Sequence, residues 1–365
     1  MKRLVKTVAV SAALFAGVAL AGSAVTTSSV EAGELNILTW EGYADPAVTD
    51  PYEERTGCTI SRTYVGSNDE FPAKLAGGST IYDAVSPSID TTSILAKMGV
   101  VVPIDISMID LWDDIYKSFR AEPGIVGPPG YQMEGKIWAV PFAWGSIAWM
   151  YRADSFDVPP TSLQQLWDDP ALAGKISLWD DKTRIYSAAR MLFGTEVNVY
   201  DLSDEQLEEV KEALIEIKPK VRKYWATAGE LINLYANGEV WISDTWGGYQ
   251  SSLLQEQGID MVEFIPIEKA DGWQDAWQIV KGTPNMECAK LFVNYMTTPE
   301  AQCAMALTMG YSAANPKAVK GCLSPEEYET RHQDDMDYIE NLDFWREPER
   351  VDKYIEIWNA VKAAQ

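Results

Sequence analysis

Leu35-Asn36-Ile37-Leu38-Thr39-Trp40 is an apolar, β-prone run, and Glu41-Gly42-Tyr43 after it reads as a turn. The residues that follow repeat the theme. A helix is expected over 46–55, stopped by Thr56-Gly57, and a second strand over 58–64. A helix over 69–75 closes at Gly77-Gly78. Residues 82–85 form a strand running into Ser86-Pro87-Ser88, and a helix over 91–98 ends at Gly99. This βαβαβα rhythm marks an α/β fold with a mostly parallel sheet flanked by helices on both faces.

The rhythm continues with strands over 137–141 and 147–151, separated by a bend at Trp144-Gly145-Ser146. Helices are expected over 161–167, 185–193, 203–217 and 230–237, and strands over 176–178, 240–243 and 261–267. In the helix over 203–217, Leu207, Val210, Leu214 and Ile217 share one face, and Ser203 with Gln206 has the form of a capping box. Helices over 288–295 and 299–308 follow, and the chain from Tyr338 onward reads as mostly helical.

The 365 residues are enough for about two domains. With 30 Lys+Arg against 54 Asp+Glu, the net charge is −24. So acidic a chain is repelled by nucleic acid and by anionic membranes. The single histidine, His332, excludes His-based triads and multi-His zinc sites. Lys2, Arg3 and Lys6 precede an apolar run over 8–20, about the length of a signal-peptide core. Small residues allow cleavage after Ala24 or Ala32; the second is favoured because the first strand begins just beyond it. The first cysteine, Cys58, is too far away to serve as a lipid anchor. The expectation is a leader at 1–32 and a periplasmic, monomeric protein. Four cysteines in an exported chain permit two disulfides in three pairings, and none has a redox or metal-ligand spacing.

GxSxG, P-loop and HExxH motifs are absent, so no catalytic residue, metal or cofactor is expected. Asp180-Asp181 has the composition of a glycosidase pair, but adjacent loop residues point apart. The Asp334-Asp335-Asp337 cluster reads as a solvated acidic face. What recurs is an aromatic residue beside a carboxylate at the ends of strands: Trp40-Glu41, Trp179-Asp180 and Trp273-Gln274-Asp275. In open α/β sheets ligands bind beyond the carboxyl ends of strands. Indole faces and carboxylates together suit an organic cation.

These segments, in this order, resemble the periplasmic substrate-binding proteins of ABC transporters, of the spermidine/putrescine-binding type. The resemblance rests on residues 35–43, 54–58, 66–70, 82–88 and 140–145, then on Gly272-Trp273-Gln274-Asp275, Pro299-Glu300-Ala301-Gln302 and residues 310–316. It implies a type II fold of two α/β lobes crossed three times by the chain, near 140–144, 272–276 and 312–316. One lobe is expected over 33–143 plus 276–313, and the other over 144–275 plus 314–365. The ligand-binding residues it implies are Trp40, Tyr43, Ser88, Trp144, Trp179, Asp181, Trp246, Trp273, Asp275 and Tyr311. Arg184 stands where polyamine binders offer another acid, and it would attract a carboxylate instead. The expected partners are a small cationic or zwitterionic solute and the membrane permease of an ABC importer. A secreted hydrolase using Asp180, Asp181 or Glu41, or a chemoreceptor ligand module, are the alternatives. With this topology the first disulfide expected is Cys58–Cys288, leaving Cys303–Cys322 as a second.

Overall fold

Leu35, Ile37 and Leu38 are fully buried, as befits an interior strand: β1 (Glu34–Trp40) has a neighbour on each side in its sheet. It pairs in parallel with β2 (Thr59–Val65), from Glu34 opposite Thr59 to Trp40 opposite Val65. On its other side it pairs in parallel with β3 (Ala84–Val85). The helices between these strands, Pro46–Thr56 and Glu70–Leu75, lie near the bounds expected from sequence. Asp45 caps the first of them, and Gly57 ends it in the left-handed conformation at φ 73°. The computed structural model describes residues 33–78, 81–120 and 131–364, so the leader expected at 1–32 lies outside the described residues.

The later strands are β4 (Val101–Val102), β5 (Gln132–Met133), β6 (Lys136–Ile137), β7 (Val140–Ser146) and β8 (Trp149–Arg152). They continue as β9 (Ile176–Trp179), β10 (Val221–Trp225), β11 (Ile242–Asp244) and β12 (Met261–Phe264). The last are β13 (Asp271–Val280), β14 (Ser312–Ala313) and β15 (Asp343–Phe344). One large sheet has the order β14-β7-β13-β3-β1-β2, with β4 and β15 also on β13; the other large sheet has the order β10-β9-β11-β8-β12, and β5 and β6 form a separate two-stranded sheet. Each has a parallel part, β2-β1-β3 and β10-β9-β11, extended by antiparallel strands. The result is two α/β layers joined by strands that leave one sheet and feed the other, the two-lobed arrangement.

Several local expectations change. Trp144-Gly145-Ser146 is not a bend: β7 runs through it, and the break between β7 and β8 falls at Ile147-Ala148. Gly145 faces Trp273 across β13, and a Cβ there would lie 2.6 Å from the indole, so the glycine keeps the strand straight under that ring. The segment after Tyr338 is interrupted by β15 and a loop before the helix Val351–Ala363. Strand β10 and the helix Tyr249–Glu256 were not legible as elements. The capping box of Ser203 and Gln206 forms as expected. Both disulfides are present, Cys58–Cys288 and Cys303–Cys322, with Cα atoms 6.0 and 6.1 Å apart. No helix among the described residues is long and apolar enough to cross a membrane.

Candidate functional site

The carboxyl ends of the strands meet at a cavity between the two sheets. From the first sheet, β1 delivers Trp40 and the turn after it delivers Tyr43. Ser88 comes from the N-cap of the helix Ile89–Lys97, Trp273 and Asp275 from β13, and Tyr311 from the residue before β14. The second sheet contributes Trp179 at the end of β9 and Trp246 beyond β11.

Asp275 is the one charged residue on this lining among the described residues, and only 5% of it is exposed. The Tyr43 hydroxyl donates to its Oδ2 and the Ser88 hydroxyl to its Oδ1, each at 2.6 Å. Burial pushes its carboxyl up to about 7, against the opposing pull of those two hydrogen bonds. Neither partner carries positive charge. A buried carboxylate with two neutral donors and no cation is costly in the ionised form, and a cationic ligand relieves that cost.

The walls are aromatic. The Trp40 ring lies 5.8 Å from Trp246 and 6.2 Å from Trp179, and Trp179 lies 5.7 Å from Trp246, all edge-on. On the other side Trp273 meets Tyr311 at 4.8 Å. Such faces present negative quadrupole to a cation. Two lining residues were missed from sequence, Ile147 and Trp345. Trp345 stacks on Trp179 at 6.0 Å, and its backbone N–H donates to the Gly272 carbonyl. It lay in a stretch read as helix, so the Trp345-Arg346-Glu347 spacing, the same as Trp273-Gln274-Asp275, was not taken as a strand end.

Three sequence-derived residues are not on this lining. Trp144 lies behind it, packed against Tyr116, Phe119 and Phe344, with its indole N–H on the Ala313 carbonyl. Arg184 pairs with buried Asp244, and its guanidinium sits 5.9 Å from the Trp179 ring, so it backs a wall. Asp181 caps its own turn by accepting from Thr183 N at 2.9 Å, and also accepts from Asn68 N at 3.4 Å.

The Asn68 contact belongs to a set of links between the two sheet units at the rim of the cavity. The Trp179 indole donates to the Gly66 carbonyl at 2.8 Å, and Ala228 N donates to Glu41 at 3.2 Å. Gly66 approaches so closely that a Cβ there would lie 2.2 Å from the Ala226 carbonyl oxygen. Lys182 reaches across to Asp69 at 2.9 Å and Asp90 at 3.7 Å. Burial pulls the Lys182 ammonium down, yet Asp69, Asp181 and Asp90 together raise it above its usual value. Burial pushes Asp90 up to about 6 in spite of Lys182.

The residues of the hydrolase alternative are employed separately. Asp180 accepts from the Trp358 indole and pairs with Lys362 on the last helix, while Glu41 holds Ala228. Asp335 caps the helix Met336–Asn341, and no group of His, Cys, Asp or Glu suited to a metal ion occurs among the described residues.

Residues 47–332 match the family described as bacterial extracellular solute-binding protein. The "Spermidine/putrescine-binding periplasmic protein 1" of Haemophilus influenzae is 25% identical over 287 residues, 78% of this chain and 76% of the relative. The "Putrescine-binding periplasmic protein SpuD" of Pseudomonas aeruginosa is 26% identical over 299 residues, 78% of this chain and 79% of the relative. A solved structure of a putative spermidine/putrescine ABC transporter from Listeria monocytogenes superposes with a TM-score of 0.80 at 23% identity. It covers 91% of this chain and 99% of that one. That likeness establishes the two-lobed fold.

Proposed function

The chain belongs to the bacterial extracellular solute-binding protein family, and from that premise we propose that it captures a small amine between its lobes and delivers it to the permease of an ABC importer. It is a binding protein and not an enzyme. The observation that carries the ligand class is Asp275, a buried carboxylate without a protein cation at the mouth of aromatic walls. The names of the relatives point the same way, toward amines. In this reading Trp40, Trp179, Trp246, Trp273 and Tyr311 enclose the cation. Tyr43 and Ser88 hold Asp275 in place. The lobes are 33–143 with 276–313 and 144–275 with 314–365. Residues 1–32 are removed on export, and the mature protein works outside the cytoplasmic membrane as a monomer.

The test is a thermal-shift screen of amines on the purified mature chain, with mass spectrometry of the recovered ligand. A bound amine at 100 times its Kd stabilises by about 2.7 kcal/mol and is recovered intact. A screen in which no amine raises the melting temperature refutes the amine reading. A converted ligand refutes the transport reading. Scattering profiles with and without the amine check the lobes, since closure compacts the molecule.

A further inference from the structure

Five tryptophans line the cavity, and their N–H groups fall into two sets. Trp179 donates to the Gly66 carbonyl at 2.8 Å and Trp273 to the Trp246 carbonyl at 3.0 Å. These two indoles are fixed as walls. Trp40, Trp246 and Trp345 are different: each Nε1 is shut off from solvent and has no acceptor among the described residues. One further buried indole, Trp277, is also without an acceptor, and it does not line the cavity. The three come from three separate segments, the end of β1 and the residues after β11 and β15, yet each ring lies within 5.7–6.2 Å of the same ring, Trp179. A buried indole N–H ordinarily finds a partner. Three unpartnered donors gathered around one wall of a ligand cavity are complementary to an acceptor that the ligand brings.

The charge on the lining sets a second condition. Asp275 is its one ionisable acid, and both of its oxygens already accept from hydroxyls. Neither Asp181, Asp90 nor Glu41 lines the cavity, and Arg184 is committed to Asp244. A second ammonium has only donors to offer. At the far end of a diamine it would meet indole N–H groups and no second carboxylate, and would be buried without a counter-charge.

We infer that the ligand is a short-chain monoamine whose far end is a hydrogen-bond acceptor. Its ammonium meets Asp275, and its hydroxyl, carbonyl or carboxylate oxygen lies among the N–H groups of Trp40, Trp246 and Trp345. The inference rests on the amine reading of the same cavity. It departs from the diamine and polyamine named for the two relatives above and sides with the gamma-aminobutyric acid named for another, 24% identical over 191 residues.

Titration calorimetry on the mature chain tests it with matched sets of three-, four- and five-carbon ligands: the alkylamine, the α,ω-diamine, the amino alcohol and the ω-amino acid. At the best chain length, an amino alcohol or an amino acid binds at least about tenfold tighter than both the alkylamine and the diamine. Which of those two is tighter reports whether the acceptor is neutral or anionic. A diamine that equals or exceeds both overturns the inference and leaves the amine reading standing. Absence of binding by every amine overturns both. Trp40→Phe, Trp246→Phe and Trp345→Phe each keep a ring and remove an N–H. At least one of them must weaken the amino alcohol or amino acid by more than it weakens the alkylamine, so that the advantage over the alkylamine is lost. If the advantage survives in all three, the acceptor site is not at these indoles.

Discussion

Replacing Asp275 by Asn keeps the shape of the side chain and removes its charge, and the structure gives this change two effects of opposite sign. Asp275 is buried, takes hydrogen bonds of 2.6 Å from Tyr43 and Ser88, and faces no protein cation. Removing one partner of a buried charge pair costs about 2–5 kcal/mol, so affinity for the amine falls by about 30-fold to a few thousand-fold. The free protein behaves the other way. The carboxyl is pushed from 3.8 up to about 7 by burial, so its contribution to stability is full below about pH 4 and is lost as pH rises through 7. At about 1.4 kcal/mol per pH unit, the loss by pH 8 is at most about 4 kcal/mol. Asn does not ionise. Ligand-free Asp275→Asn is therefore more stable than wild type at pH 8, by up to that amount, and about equal to it at pH 4. Titration calorimetry at pH 8 and denaturant unfolding at both pH values measure the two effects. Unchanged affinity refutes the role of Asp275 as counter-charge, and a variant less stable than wild type at pH 8 refutes its uncompensated burial.

The same raised carboxyl predicts that affinity for an amine falls as pH drops below 7, approaching about tenfold per pH unit, because the free protein must give up a proton to bind; calorimetry from pH 5 to 8 checks the slope. Lys182→Met strips Asp69 and Asp90 of the cation that reaches them across the cleft. Breaking such a buried pair costs about 3–5 kcal/mol, so ligand affinity falls and scattering shows a more open molecule, although no lining residue has changed. Equal affinity and an equal profile would show that the contact does not hold the lobes together. Replacing Cys58 and Cys288, 230 residues apart, by Ser destabilises by about 5 kcal/mol, and replacing Cys303 and Cys322, 19 apart, by about 3 kcal/mol. Urea unfolding ranks the two pairs, and the reverse order would contradict the loop argument.

Where the fold was legible, local chemistry and tertiary placement agree. The helix Pro46–Thr56 has its Asp45 cap and its Gly57 stop in sequence, and Ser203 with Gln206 marks the start of Asp204–Ile217. Strand β13 shows the opposite case. All ten of its residues are buried, yet Asp271, Gln274, Asp275 and Gln278 break any apolar pattern. Some of its polar atoms are met by distant groups: Arg190 pairs with Asp271, and the carbonyls of Thr92 and Trp138 accept from the Gln278 amide. A window on the sequence sees four polar residues and reads only a crossing point. Strand β15 is two residues long and is held by β13, about 70 positions earlier, so nothing near it announces a strand.

The site was legible to the same depth. Residue types at strand ends gave Trp40, Trp179, Trp273 and Asp275, because strand ends are where this architecture places ligands, and the family resemblance added Tyr43, Ser88, Trp246 and Tyr311. Which of their polar atoms are free for a ligand is a different quantity, and it is set by non-local backbone. The Trp179 N–H is spent on Gly66, 113 positions away, and the Trp273 N–H on Trp246, 27 away. The N–H groups of Trp40 and Trp246 find no acceptor, although in sequence these four tryptophans are alike. Arg184 shows the same rule for charge. Its position suggested a carboxylate ligand, yet Asp244, two strands further along the chain, already neutralises it. Whether a ligand brings one charge or two, and an acceptor or a second donor, therefore depends on which protein groups are already satisfied. That sum is fixed only when the two sheets meet.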